Sequence, residues 1–184
     1  MSLVERIAQA DERGLAASGL ACLDRGLPLL GADDELLRPL WASLADGSDW
    51  SASLDRARAA LGAGQPDDEV ALLARRMLEA APAERTADAV RPWADACSVA
   101  SLRIHRLLDP AADDTAAADG LAAGRAGDTA DLPPLVAAEL RRQTAVLELV
   151  AEHGPHGLRR ALDLSIEGRR VLRAVVSRRA RTGA

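Results

Sequence analysis

Lysine, phenylalanine, tyrosine and asparagine are missing from this chain, and only three tryptophans and two cysteines occur in its 184 residues. Each shortage excludes something. Without Phe or Tyr, and with only 13 Val and Ile, the residues that suit a pleated, half-buried strand are too few to build a sheet. Two cysteines, Cys22 and Cys97, cannot form a disulfide framework, and each lies among Ala and Leu in a helical pattern. They read as buried free thiols in a reducing cytoplasm. No stretch approaches 18 uninterrupted apolar residues, which excludes a membrane-spanning helix. The opening MSLVERIAQADERG carries charge every few residues and has no apolar stretch of the signal-peptide kind.

What is abundant is Ala, Leu, Arg and Glu, all residues that lose little side-chain freedom in a helix. The expected fold is all-α: a single-domain, irregular bundle of about seven helices spanning residues 1–184. Its core is made of Leu, Ala and Val, with Trp41, Trp50 and Trp93 as the large anchors. The Ala and Arg bias is that of a GC-rich bacterial genome and carries no activity by itself.

Along the chain, Leu15, Leu20, Leu23, Leu27 and Leu30 mark one long or two shorter helices over residues 2–30, kinked or ended by Pro28. Asp33-Asp34-Glu35 opens a helix to about Ala45. Asp49 or Ser51 caps the next, to about Leu61, and Asp67-Asp68-Glu69 opens another, to about Ala80. The longest pattern, Glu84 to Leu108, places Val90, Trp93, Cys97, Ile104, Leu107 and Leu108 near one face, with Pro92 in its early turns. Residues 110–134 form a low-complexity connection of Ala, Asp, Gly and Thr. It can bury little and reads as a weak helix with loops or a mobile link.

Pro134 then starts a helix to about Glu152, with Leu135, Ala138, Leu140, Leu147, Leu149 and Val150 as its apolar set. The last helix, about His156 to Arg179, carries Leu158, Leu162, Leu172, Val175 and Val176. The short turn at His153-Gly154-Pro155 predicts a C-terminal antiparallel helical hairpin. The fragments Arg38-Pro39-Leu40-Trp41 and Arg91-Pro92-Trp93 echo each other, but with the Trp one residue out of register they read as coincidence rather than repeat.

Motifs with chemistry are few. There is no Walker loop, dinucleotide fingerprint, Cys-x-x-Cys pair or nucleophile elbow. The acidic clusters, Asp113-Asp114 included, lack the ligand spacing of a calcium loop, and the first two sit where negative charge favours a helix N-terminus. Glu152, His153 and His156 gather at a turn, where two imidazoles and a carboxylate could share a metal; two solvated histidines are the plainer reading. Ser101 and His105, four apart on a helix, are the nearest approach to a nucleophile and base. No cofactor is implied.

Charge is the sharpest signal. All 23 basic residues are Arg. Eight lie in the last 26 residues against only Asp163 and Glu167, a net +6, while the other 158 residues carry −11. Some pairing is expected within the helix, between Arg159 or Arg160 and Asp163 and between Arg170 and Glu167. Arg169, Arg170 and Arg173 have the fewest local partners. The segment reads as a helix docked on its own acidic body, or as a contact for an acidic protein or a second copy of the chain. Nucleic acid is disfavoured because no aromatic residue interleaves the arginines, and a membrane is not indicated.

Two function classes follow. The leading one is a non-enzymatic protein-interaction or regulatory domain, acting through the C-terminal arginines or an exposed Trp. The alternative is a helical small-molecule or metal-binding protein, enzymes included, with a pocket near His105 and Trp93 or near His153 and His156.

Overall fold

A computed structural model of the chain describes residues 1–64, 66–112 and 117–182, and among them it is all-α. The helices are α1 (Leu3–Gln9), α2 (Glu12–Gly26), α3 (Arg38–Asp46), α4 (Trp50–Leu61), α5 (Glu69–Glu79), α6 (Ala87–Leu108), α7 (Ala117–Ala126), α8 (Pro134–His153) and α9 (Gly157–Thr182). Short 3₁₀ turns at Leu27–Leu30 and Gly154–His156 follow α2 and α8. Two segments exceed the expected seven. Residues 2–30 divide at Ala10, where the Asp11 side chain accepts the Gly14 N–H and caps a new helix. Part of the low-complexity connection is itself the helix α7.

The centre of the molecule is α2. Every residue from Gly14 to Gly26 is buried, and α6, α8, α9, α5 and α3 all pack against it. Its sequence explains how it can be surrounded. Ala16, Ala17, Ser18, Gly19, Ala21 and Cys22 leave little side chain to hold neighbours off, and Leu15, Leu20 and Leu23 fill the gaps. Gly19 gives the closest approach, since a Cβ there would fall inside the Trp93 indole. The Trp93 ring meets Trp50 edge-on, with centroids 6.1 Å apart, and its N–H donates to the Met77 carbonyl at 2.8 Å.

Helix starts follow the capping logic in part. Asp49 and Asp68 cap α4 and α5 through bonds to Ala52 and Ala71 N–H. Asp33-Asp34-Glu35 does not open a helix: α3 begins at Arg38 with Pro39 in its first turn, and the acidic residues form the turn before it. Pro92 lies inside α6, and Pro134 is the first residue of α8. Asp113-Asp114 lies outside the described residues. Asp109, after α6, closes the low-complexity connection from both ends: its carboxylate accepts the N–H of Ala111 and, at 2.7 Å, that of Leu135 on α8. Helices α8 and α9 pack side by side across the Gly154–His156 turn, where Gly154 takes a left-handed φ of +55°.

Two apolar stripes lie off the expected register. On α8 the buried line is Val136, Glu139, Leu140, Gln143, Val146, Leu147 and Val150, leaving Leu135, Ala138 and Leu149 half-buried. On α6, Ser98, Ser101 and His105 are buried, whereas Leu107 is exposed. In both helices polar groups take core positions, because the core contains a polar cluster.

Candidate functional site

The cluster starts at two adjacent charges near the end of α2. Arg25 has no exposed surface and grips the equally buried Glu139 of α8 by both edges: Nε to Oε2 at 2.7 Å and Nη2 to Oε1 at 2.6 Å. Glu139 also accepts the Ser101 hydroxyl at 2.7 Å and the Gln143 amide at 2.8 Å. Gln143 in turn accepts from Ser98 at 2.6 Å, and Ser98 accepts from Arg125 of α7 at 3.2 Å. Arg125 pairs with Asp95 at the surface. Burial alone would push Glu139 up; the charge of Arg25, with the hydrogen bonds from Arg25 and Gln143, outweighs it and holds the carboxyl at about 2.

His105 points Nδ1 at the Ser101 carbonyl, 2.8 Å away, so Nδ1 carries the proton. Its Nε2 stands 3.5 Å from Glu139 Oε2. Burial, only partly opposed by Glu139, lowers the pKa of His105, which keeps the imidazole neutral. Ser101 and His105 are therefore neighbours but not a nucleophile and its base: the hydroxyl is committed to Glu139, and the ring to a main-chain oxygen. One donor, Arg25 Nη1, has no acceptor among the described residues, a cost of order 1–3 kcal/mol. Cys22, beside Arg25, and Cys97 are free and buried. Burial pushes the Cys22 thiol up to about 12 and raises Cys97 as well, which suppresses the reactive thiolate in both.

A second buried group forms on the other charge. Asp24 accepts from Arg169 of α9 at 2.8 Å and from the Trp41 indole at 3.0 Å. Burial pushes Asp24 up, and Arg169 and Trp41 offset this only in part. Arg169 also donates to the Asp34 carbonyl at 2.9 Å, and Arg173, one turn further on, pairs with the Asp34 carboxylate. The hydrogen bond from Arg173 is the main reason that Asp34 is held below the usual carboxylate range.

The sequence-derived candidates thus separate. Arg169 is buried and occupied by Asp24, which removes it from any partner surface. Arg173 is half-exposed and paired with Asp34, and Arg170 is exposed. Counter-charge for Arg169 and Arg173 comes from α2 and from the turn before α3, not from α9 itself. Arg159, Arg160 and Arg170 make no ion pair with Asp163 or Glu167 among the described residues.

Glu152, His153 and His156 are all exposed, with His153 Nε2 3.9 Å from Glu152. Among the described residues, no three His, Cys, Asp or Glu side chains are placed to hold a metal ion. All three Trp are buried, each with its N–H bonded inside, so none offers a surface contact. A cleft of about 510 Å³ lies beside α7, lined by Arg106, Leu121, Asp128 and Leu132 among others. A groove of about 400 Å³ lies at the far end of α9, and neither takes in Trp93, His105, His153 or His156.

The chain matches no family model, no curated protein and no solved structure. No helix among the described residues is long and apolar enough to cross a membrane.

The end of α9 remains as a surface. Side-chain burial on α9 ends at Leu172, fades through Val175 and Val176, and is gone from Ser177 to Thr182. This stretch carries Arg178, Arg179 and Arg181 and no carboxylate. Arg179 donates to the Leu107 carbonyl at 2.7 Å, whereas the guanidinium groups of Arg178 and Arg181 have no hydrogen bond or ion pair among the described residues.

Proposed function

We propose that this chain is a non-enzymatic interaction or regulatory domain that offers the arginine-rich end of α9 to an acidic protein partner. The exposed stretch after Val176 carries the reading: three guanidinium groups, two of them without partners among the described residues, project from a molecule that is otherwise net acidic. Cations at a helix C-terminus are favoured by the helix dipole, but that requires only one or two, in the last turn. Arg170 extends the exposed positive face towards the body. The interior supports the same conclusion, since its acids, bases and hydroxyls converge on each other rather than on a cavity. Both thiols being free fits a reducing, cytoplasmic setting.

The test is affinity capture with the full chain and with the Arg170→Glu, Arg178→Glu, Arg181→Glu triple variant. Wild type should retain partners bearing acidic segments and release them as salt is raised, and the variant should lose them. An identical set of partners on both baits would refute the assignment.

A further inference from the structure

We infer that the groove between α8 and α9 is closed by a second copy of this chain, related to the first by a twofold axis beside Leu164. The inference is independent of the arginines beyond Val176.

The two helices meet closely. At Gly157 a Cβ would stand 2.2 Å from the Leu149 carbonyl oxygen, and at Gly168 one would stand 3.1 Å from Cδ of Arg142. Along this contact Leu149 of α8 and Leu164 of α9 line a groove of about 330 Å³, together with Arg160, Asp163 and Glu167. Val146, Val150 and Ala161 on the same two helices are buried in the core, whereas Leu149 and Leu164 are half-buried and stand outside it. Two leucines side by side at a groove that opens to water are stabilised by being covered.

The charges around the groove identify the occupant. Arg160, Asp163 and Glu167 are exposed, and their side chains have no hydrogen bond or ion pair among the described residues. Arg160 and Glu167 share one face of α9 but lie about 10 Å apart along its axis, too far to pair with each other. An acidic segment in the groove meets Asp163 and Glu167, and a basic one meets Arg160, so neither is satisfied along its length. The fitting occupant presents both signs in the reverse order. The same helix run antiparallel does so, because Arg160 lies as far before the midpoint of Asp163 and Leu164 as Glu167 lies after it. A twofold axis at that midpoint sets each Arg160 opposite the other copy's Glu167. It also brings the two Leu164 side chains together, with both Leu149 side chains beside them. A patch that complements itself in this way is what an isologous contact requires. Asp163, next to the axis, meets its own counterpart, which sets one repulsion against two attractive pairs. The groove is small beside the area of about 800 Å² per partner in a stable interface, so the two copies exchange rather than associate permanently.

Sedimentation equilibrium of the full chain, over concentrations from micromolar to millimolar, provides the test. Wild type should show a monomer–dimer equilibrium. Leu164→Asp should weaken dimerisation by about tenfold or more, and so should Glu167→Arg, which sets arginine against arginine in both pairs. Reversing both charges, Arg160→Glu with Glu167→Arg, should restore the dimer, because each pair re-forms with its signs exchanged. Asp163→Asn should tighten it. Arg160, Asp163 and Glu167 are exposed and unpaired among the described residues, so their variants should keep the wild-type melting temperature and decide the matter even should Leu164→Asp prove unstable. A chain that stays monomeric at millimolar concentration overturns the inference, as does a dimer that Glu167→Arg leaves intact. A double-reversal variant that dimerises no better than Glu167→Arg alone overturns the twofold pairing.

Discussion

Asp24 and Arg25 are neighbours in sequence, yet each is directed to a different part of the molecule, Arg25 to α8 and Asp24 to α9 and α3. A buried ion pair adds little over apolar residues of the same volume, but losing one member leaves an uncompensated charge in the core. Glu139→Gln should therefore lower unfolding stability by about 3–5 kcal/mol in urea titration. The Arg25→Met, Glu139→Leu double variant should lose less than either single change. A double variant at least as unstable as either single change would show that the pair itself is a net source of stability.

The same residues set the acid limb of the stability profile. Glu139 is held at about 2 against an ordinary 4.5, so the unfolded chain takes up this proton more readily than the native state. The stabilisation is complete above pH 4.5 and is lost as pH falls toward 2. His105 is lowered from 6.5 by burial, so it costs stability as pH drops below 6.5. The melting temperature of wild type should fall below pH 6.5 more steeply than that of His105→Asn. Taking the difference cancels the opposite trend of Asp24. Parallel profiles above pH 4.5 would show that His105 is not lowered in the native state.

For the elements, α2 carried the plainest signal. No residue from Gly14 to Leu23 is charged, and small residues occur at every angular position, which is the pattern of a helix covered on all sides. Helix existence, most caps and the all-α class are legible for the same reason: they depend on local propensity and on the side chains nearest in sequence. The registers of α6 and α8 were not, because an apolar stripe is sought by hydrophobicity, and Ser98, Ser101, His105, Glu139 and Gln143 occupy core positions through partners 34 to 114 residues away. At Gly19, an added methyl would meet the Trp93 ring, so Gly19→Ala should destabilise by about 1–3 kcal/mol despite its better helix propensity. Chemical denaturation followed by tryptophan emission would detect it; a stabilised variant would mean that the α2–α6 contact is looser than described.

At the scale of the whole molecule, the charge split in the sequence was legible and its use was not. Counting charges showed that the C-terminal segment needs anions, but not that Asp24 and Asp34 supply them to Arg169 and Arg173 and leave the burden on the arginines beyond. Those outer residues should contribute little to folding. A chain ending at Ser177 should keep wild-type stability to within about 1 kcal/mol, since only exposed positions, the exposed bonds within the last turns of α9 and one exposed hydrogen bond to the body are lost. A larger drop in melting temperature would make the end of α9 part of the scaffold.

The enclosed position of α2 also bears on synthesis. Its residues leave the ribosome before those of α8 and α9: the carboxylate that neutralises Arg25 follows 114 residues later and Arg169 emerges later still. At about 5–20 residues per second, a helix with no polar face and two unmatched charges waits roughly 6–23 s for the first of its partners. During that interval its Leu and Ala surface is open to any other hydrophobic chain, so aggregation is most favoured before α8 emerges. Slowing translation between residues 26 and 139 should lower soluble yield without altering the finished protein.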